Sequence, residues 1–81
     1  MHVEVSKGSA FMTLQLENHR KIGKVVILIR DVKGNLVYRE EGKAMQEELV
    51  RRLDRRALPA GTLTVEVESR DIHITQVVEN R

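Results

Sequence analysis

Three residues with the side chains of a hydrolytic triad lie near the end of the chain: Ser69, Asp71 and His73. Their alternate spacing would place them on one face of an extended strand. Such a strand rises about 3.3 Å per residue, so Ser69 and His73 would be about 13 Å apart, with Asp71 between them. Catalysis instead needs the imidazole between the hydroxyl and the carboxylate, within hydrogen-bond distance. We therefore predict a polar turn that leads into a strand, and no catalytic residue.

The sequence also gives no indication of metal or cofactor chemistry. His2, His19 and His73 each lack a second ligand at a recognised spacing such as HExxH. The segment from Asp31 to Gly34 resembles the start of a calcium loop, but it lacks the alternating oxygen ligands and the distal glutamate, so we interpret it as a hairpin turn. No glycine-rich phosphate-binding motif is present, and there are no cysteines. We predict no metal site, no cofactor and no enzymatic activity.

Four arginines form the strongest local concentration of charge, and they are our candidate partner-binding residues: Arg51, Arg52, Arg55 and Arg56. On a helix they would lie on neighbouring faces and could bind phosphates or carboxylates with paired hydrogen bonds. On a strand, Arg51 and Arg52 point to opposite sides and the cluster is dispersed. Acidic residues nearby in the sequence would neutralise much of the charge.

Composition restricts the range of structures and partners. A chain of 81 residues has room for one hydrophobic core, so we expect a single domain over residues 1–81. Phe11 and Tyr38 are the only aromatic residues, so the core must be aliphatic, and stacking on bases or sugars is not favoured. The net charge of +2 gives little reason to expect a nucleic acid partner. No apolar run is long enough for a membrane span.

Most of the chain alternates between apolar and polar residues, as half-buried strands do. The clearest case is a β-hairpin over residues 24–40, in which two apolar runs flank a turn containing Gly34. We expect residues 41–43 to close it. Further strands are predicted at 2–5, 10–17, 62–68 and 72–78. With one more strand near Glu48, about seven short strands at regular spacing predict a small antiparallel β-sandwich.

Residues 44–58 allow two interpretations. Met45, Leu49, Leu53 and Ala57 recur every four residues, as on one face of a helix. Asp54 and the segment that ends at Pro59 and Gly61 instead indicate a strand, a tight turn and the entry to the next strand. We favour strand plus turn. The alternative is an α+β fold with a helix over 44–58.

The runs VVILIRDVKGNLVYRE, LDRRALPAGTLTVEVES and IHITQVVENR, within residues 11–78, resemble a known family. They are similar to immunoglobulin-like domains of secreted proteins from Bacteroidetes-type bacteria, which include the C-terminal sorting domains of type IX secretion cargo and related small secreted domains of unknown function. Leu63 follows the Gly-Thr pair where that family usually has Tyr or Phe. The resemblance implies an immunoglobulin-like sandwich and a non-catalytic module of an exported protein, located outside the cell or on its surface, with a cytoplasmic location as the alternative.

Two functional hypotheses follow from different classes. The first is a non-enzymatic interaction, spacer or sorting-type module that recruits a protein partner through exposed strand edges and loops. Its first and last strands, residues 3–5 and 72–78, would also allow two copies to pair as a homodimer. The second is a small α+β module that uses the four arginines to bind an acidic protein or a nucleic acid.

Overall fold

The computed structural model describes residues 1–5 and 8–80, which form two antiparallel β-sheets packed face to face. In chain order the elements are β1 (His2–Val5), β2 (Phe11–Glu17), β3 (Gly23–Arg30), β4 (Leu36–Ala44), β5 (Glu48–Asp54), the 3₁₀ turn η1 (Arg55–Ala57), β6 (Gly61–Ser69) and β7 (His73–Asn80). The predicted all-β sandwich of seven short strands is confirmed. In the described part of the chain, no helix is long and apolar enough to cross a lipid bilayer.

The strands divide into a three-stranded sheet, β1-β2-β5, and a four-stranded sheet, β4-β3-β6-β7. Each sheet has two edge strands. On one side of the sandwich the edges are β4 and β5, and on the other side they are β1 and β7, which contact each other.

The core lies between the sheets and is built from alternate residues of each strand. Met12, Leu14 and Leu16 of β2 are fully buried and face Leu63, Val65 and Val67 of β6, together with Ile27 and Ile29 of β3. This is the inward set that the alternation predicted. Because β-branched and leucine side chains fill the space without aromatic rings, the two sheets share one aliphatic core.

The predicted hairpin is the β3–β4 pair, and its turn is held by one side chain. Asp31 Oδ1 accepts hydrogen bonds from the backbone N–H groups of Lys33 and Asn35, both at 2.9 Å. Gly34 has φ +86°, which a residue with a Cβ rarely adopts. The expectation that residues 41–43 close the hairpin is wrong, since β4 continues to Ala44 and pairs with β3 as far as Gly23.

Residues 44–58 do not form a helix, so the α+β alternative is wrong. β5 pairs with β2 along its whole length, from Glu17↔Glu48 to Phe11↔Asp54. The predicted turn at Asp54 is confirmed, because its carboxylate caps η1 by accepting from the backbone N–H of Arg56 at 3.0 Å. Backbone pairing with β2 outweighs the helical spacing of the apolar side chains.

Candidate functional site

The structure places the four candidate arginines in separate environments. Arg51 and Arg52 are neighbours on β5 and therefore point to opposite faces of the three-stranded sheet. Arg55 and Arg56 lie on η1. The helix that would have gathered all four on neighbouring faces does not form, and each of them has an intramolecular partner.

Arg51 points inward, at the open side of the sandwich between β4 and β5. Its Nη2 atom lies 2.6 Å from Oε2 of Glu40. The other oxygen of this carboxylate, Oε1, accepts a hydrogen bond from the Tyr38 hydroxyl. Arg51, and to a smaller extent Tyr38, hold the pKa of Glu40 below its ordinary value against the opposing effect of partial burial. Partial burial and the neighbouring Glu40 raise the pKa of Tyr38. This trio closes the gap between the two sheets.

The other three arginines contact the outer surface and the corner after β5. The Arg52 guanidinium lies 4.5 Å from the centre of the Phe11 ring, within the range of a cation–π interaction. Arg55 donates to the backbone carbonyl of Ser9 and to Asn80 Oδ1, both at 3.2 Å. Arg56 forms an exposed ion pair with Asp54 at 3.1 Å.

The side chains of the apparent triad are separated by the β6–β7 hairpin. Ser69 pairs with Val25 and faces inward, where its hydroxyl is buried without a hydrogen-bond partner among the described residues. His73 pairs with Glu68 and faces outward, and Asp71 lies in the exposed turn. The alternate spacing of these residues in the sequence therefore does not bring their side chains to one surface.

His73 instead belongs to a charged group on the outer face of the four-stranded sheet. Its Nε2 atom is hydrogen-bonded to Glu66, whose other oxygen accepts from Arg30 at 2.8 Å. His73 first, and then Arg30, lower the pKa of Glu66. The sequence could have revealed only the β6–β7 part of this group, because a two-residue turn at residues 70–71 places Glu68 opposite His73 and Glu66 next along the same face. The contact with Arg30 depends on the β3–β6 register.

Glu66, Glu68 and His73 each offer an atom that could ligate a metal, and these atoms lie within 4.8 Å of one another. However, both oxygens of Glu66 already have partners in Arg30 and His73. The side chain of His73 is 62% exposed, so water competes for this site from the outer face. An exposed ion-pair network accounts for the whole arrangement.

Two depressions lie beside Arg51, and the one that reaches the core is too small to hold a typical ligand. It is lined by Val25, Ile27 and Leu49 from the core and by Glu40 and Arg51 at its rim, and it encloses about 200 Å³. Ligand sites usually enclose roughly 300–1,000 Å³ and bury most of the ligand. Arg51 is paired with Glu40 at the rim, although its Nε atom is buried without a hydrogen-bond partner among the described residues. We interpret this depression as the open side of the core.

The edges of the two sheets differ strongly in how they are protected. β1 has only four residues. β4 carries Arg39, Glu41 and Lys43 on its outer face and lies beside a register irregularity at Ile29/Arg30. β5 carries arginines on both faces. Short length, charges and bulges are the features by which natural edge strands avoid pairing with other chains.

β7 has fewer of these protections: it is neither short nor bulged, and Glu79 is its one carboxylate. Its eight residues, HITQVVEN, contain no lysine, arginine or proline and pair regularly with β6 from end to end. The backbone N–H of Ser69 donates to the carbonyl of Ile72 at 2.7 Å, which identifies Ser69 and Ile72 as a hydrogen-bonded pair. Since such pairs alternate, the backbone groups of His73, Thr75, Val77 and Glu79 point away from β6. They lie at the sheet edge beside β1, where the Gln76 side chain donates to the Val3 carbonyl at 3.4 Å.

Comparisons with known proteins add no relative: no protein-family model matches the chain, and no curated protein does.

Proposed function

We propose that this domain is a non-enzymatic interaction module that binds an extended segment of a protein partner along the free edge of β7. The observation that carries the proposal is the combination of a regular strand, a row of unpaired backbone groups and the absence of lysine, arginine, proline and bulges from β7. A strand added to such an edge gains affinity from main-chain hydrogen bonds, and side chains on alternate positions supply specificity.

The side chains along β7 fit this mode of binding. His73, Thr75, Val77 and Glu79 form its exposed outer row, and Val77 is 62% exposed. The inner row includes Ile74 and Gln76, which are half-buried at the margin of the core. A partner strand would therefore extend the outer face with polar contacts and cover an apolar margin beneath it.

The resemblance of residues 11–78 to immunoglobulin-like domains of secreted bacterial proteins supports placing this module in an exported protein. In that setting the domain would act as a spacer or sorting-type unit, outside the cell or on its surface. Its contribution would be a rigid sandwich that presents one edge to a partner.

A peptide display experiment tests the proposal with random sequences in place of the natural partner. Random nine-residue peptides are selected against the domain, and each binder is titrated into ¹⁵N-labelled protein. We expect the largest shifts at the amides of His73, Thr75, Val77 and Glu79. Binders that shift another surface, or the absence of any binder, would contradict the proposal.

A substitution at Thr75 provides the matched control. Thr75→Pro removes an N–H that points away from β6, so the β6–β7 ladder keeps its hydrogen bonds while the edge loses a donor. We expect this variant to lose peptide binding, and Thr75→Ala to keep it. Equal binding by both variants would show that the β7 edge is not the binding site.

A further inference from the structure

We infer that the free edge of β7 pairs with β7 of a second copy of this chain, antiparallel and in a single register centred on Gln76. This inference rests on the proposed function and names the partner of the same edge. It follows from the order of residues along β7, which complements itself when two copies are related by a two-fold axis.

The backbone pattern restricts the register first. Only His73, Thr75, Val77 and Glu79 direct their N–H and C=O groups away from β6, so hydrogen-bonded pairs between copies must join these residues. Centring the axis on Gln76 pairs position 73 with 79 and position 75 with 77. All four residues are then used in both copies, which gives about eight hydrogen bonds, two for each pair.

The side chains favour the same register. On the outer face, His73 lies opposite Glu79 of the second copy, and Thr75 lies opposite Val77. This register places no like charges in direct opposition, and Thr75 and Val77 are both β-branched residues that suit a pleated surface. A register centred on Thr75 would instead place Glu79 opposite Asp71, and like charges in direct opposition are destabilising.

The inner face completes the pairing. In the same register Ile74 lies opposite Val78 of the second copy, and Gln76 lies opposite its own equivalent. Ile74 is half-buried and Val78 is buried at the margin of the core, so pairing extends the apolar layer beneath the joined sheets. The result is one continuous sheet of eight strands, in which β4 of each copy becomes an outer edge and carries the protective charges.

The dimer should be weak. One pair of short strands buries less than the roughly 1,200 Å² that separates transient interfaces from standard ones. We therefore expect a dissociation constant in the micromolar range or above, and a monomer at nanomolar concentration. Concentration-dependent association is the property to measure.

Sedimentation equilibrium from about 5 to 500 µM tests for the dimer. Val77→Lys adds a charge at the centre of the paired edge and is expected to weaken association about tenfold or more. Val50→Lys is the matched control, because Val50 is also an exposed valine, 46% accessible, on an edge strand of the other sheet. A wild-type protein that stays monomeric, or equal effects of the two lysines, would overturn the inference.

Cysteine crosslinking tests the register, and the chain has no cysteine of its own to interfere. Residues in a hydrogen-bonded antiparallel pair have Cα atoms about 5.5 Å apart, within the roughly 4.4–6.8 Å that a disulfide spans. We expect an equimolar mixture of Thr75→Cys and Val77→Cys to oxidise mainly to the mixed dimer. A dominant homodimer of Thr75→Cys would indicate a register centred on 75, and one of Val77→Cys a register centred on 77, and either would overturn the inference.

The two proposals fail in different ways. If wild-type protein remains monomeric but selected peptides still shift the β7 amides, the edge binds other partners and only the homodimer is wrong. If selected peptides bind elsewhere and no dimer forms, the proposed function fails as well.

Discussion

The position of an arginine within a strand determines its role more than its membership of a charged cluster. Arg51 and Arg52 are adjacent, yet one side chain closes the open side of the sandwich on Glu40 and the other covers Phe11 on the outer surface. Alternation along β5 is the cause, because successive side chains point to opposite faces. Counting charges along the sequence therefore overestimates how much positive charge these arginines present on one surface.

Arg51→Ala should be more destabilising than Arg56→Ala. It leaves the half-buried Glu40 without its cation and Tyr38 beside an uncompensated carboxylate, so we expect a loss of about 1–2 kcal/mol in the free energy of unfolding. Arg56→Ala is the matched control, because its ion pair with Asp54 is exposed and surface pairs contribute little. Urea denaturation of both variants measures the difference, and equal losses would contradict this role of Arg51.

The same ion pair predicts a pH dependence of stability. Arg51 lowers the pKa of Glu40 in the folded state below its ordinary value of 4.5. The ionised carboxylate therefore stabilises the fold at pH values above 4.5, and this contribution is lost as the pH falls through the lowered pKa. Glu40→Gln should therefore be less stable than wild type at pH 7, and the difference should shrink as the pH falls from 5 toward 3. Urea titrations across that range test this, and a pH-independent difference would refute it.

At the scale of elements, the corner between β5 and β6 is fastened by a residue from β7. Asn80 is 3% exposed, and its Nδ2 donates to the carbonyls of Arg55 and Pro59, both at 3.0 Å. Its Oδ1 accepts from Arg55. In antibody domains a tyrosine fastens the equivalent corner by bonding to nearby backbone. In this chain the last residue of the final strand has that structural role.

Asn80→Ala should accordingly destabilise the whole domain. Removing the amide deletes the donor to the carbonyls of Leu58 and Pro59 and the acceptor of Arg55, and we expect a cost of about 2–3 kcal/mol. Asn35→Ala is a suitable control, because that asparagine lies in an exposed turn and its backbone N–H still bonds to Asp31. Thermal unfolding followed by circular dichroism compares them, and similar melting temperatures would show that the corner does not depend on Asn80.

Amide exchange should reveal the free edge of β7 directly. In dilute monomer, the N–H groups of His73, Thr75 and Val77 point away from β6, while those of Ile74 and Gln76 bond to it. We expect fast and slow exchange to alternate along the strand, and the fast amides to become protected at high concentration if β7 pairs with itself. Uniform protection in the dilute monomer would mean that the edge is already covered.

The sequence predicted those elements whose side chains alternate strictly, and was ambiguous where the tertiary structure interrupts that alternation. β2, β3 and β6 were predictable because their inward positions are all aliphatic. In β5 the inward row is Leu49, Arg51 and Leu53, and the arginine breaks the apolar pattern because it meets Glu40 across the open side. The remaining leucines then match a helical spacing equally well.

At the scale of the whole molecule, the proposed binding depends on which backbone groups remain unpaired, and these are determined by the order of strands in the sheets. Alternation shows which face of a strand is buried, but it does not show whether the strand is central or at an edge. The predicted exposure of the last strand was correct in this respect, since β7 ends the four-stranded sheet. The ion-pair group around Glu66 was missed because it joins three strands, and side chains on different strands meet only when the register is known.

The two sheets should unfold as one unit, because neither has a core of its own. Leu14 of the three-stranded sheet is fully buried against residues of the other sheet, so Leu14→Ala leaves a cavity that both sheets line. The expected cost is at least about 2 kcal/mol, which corresponds to a roughly 30-fold rise in the population of unfolded molecules.

The slowest amides of β3 and β6 report that population, although neither strand contains the substitution. Their exchange should accelerate about 30-fold or more in Leu14→Ala. The slowest amides of β2 should accelerate by the same factor. Gln15→Ala, at the adjacent exposed position of β2, should leave all of them unchanged. Acceleration confined to the three-stranded sheet would show that the four-stranded sheet is stable by itself, and the free edge of β7 would then belong to a unit that does not need its partner sheet.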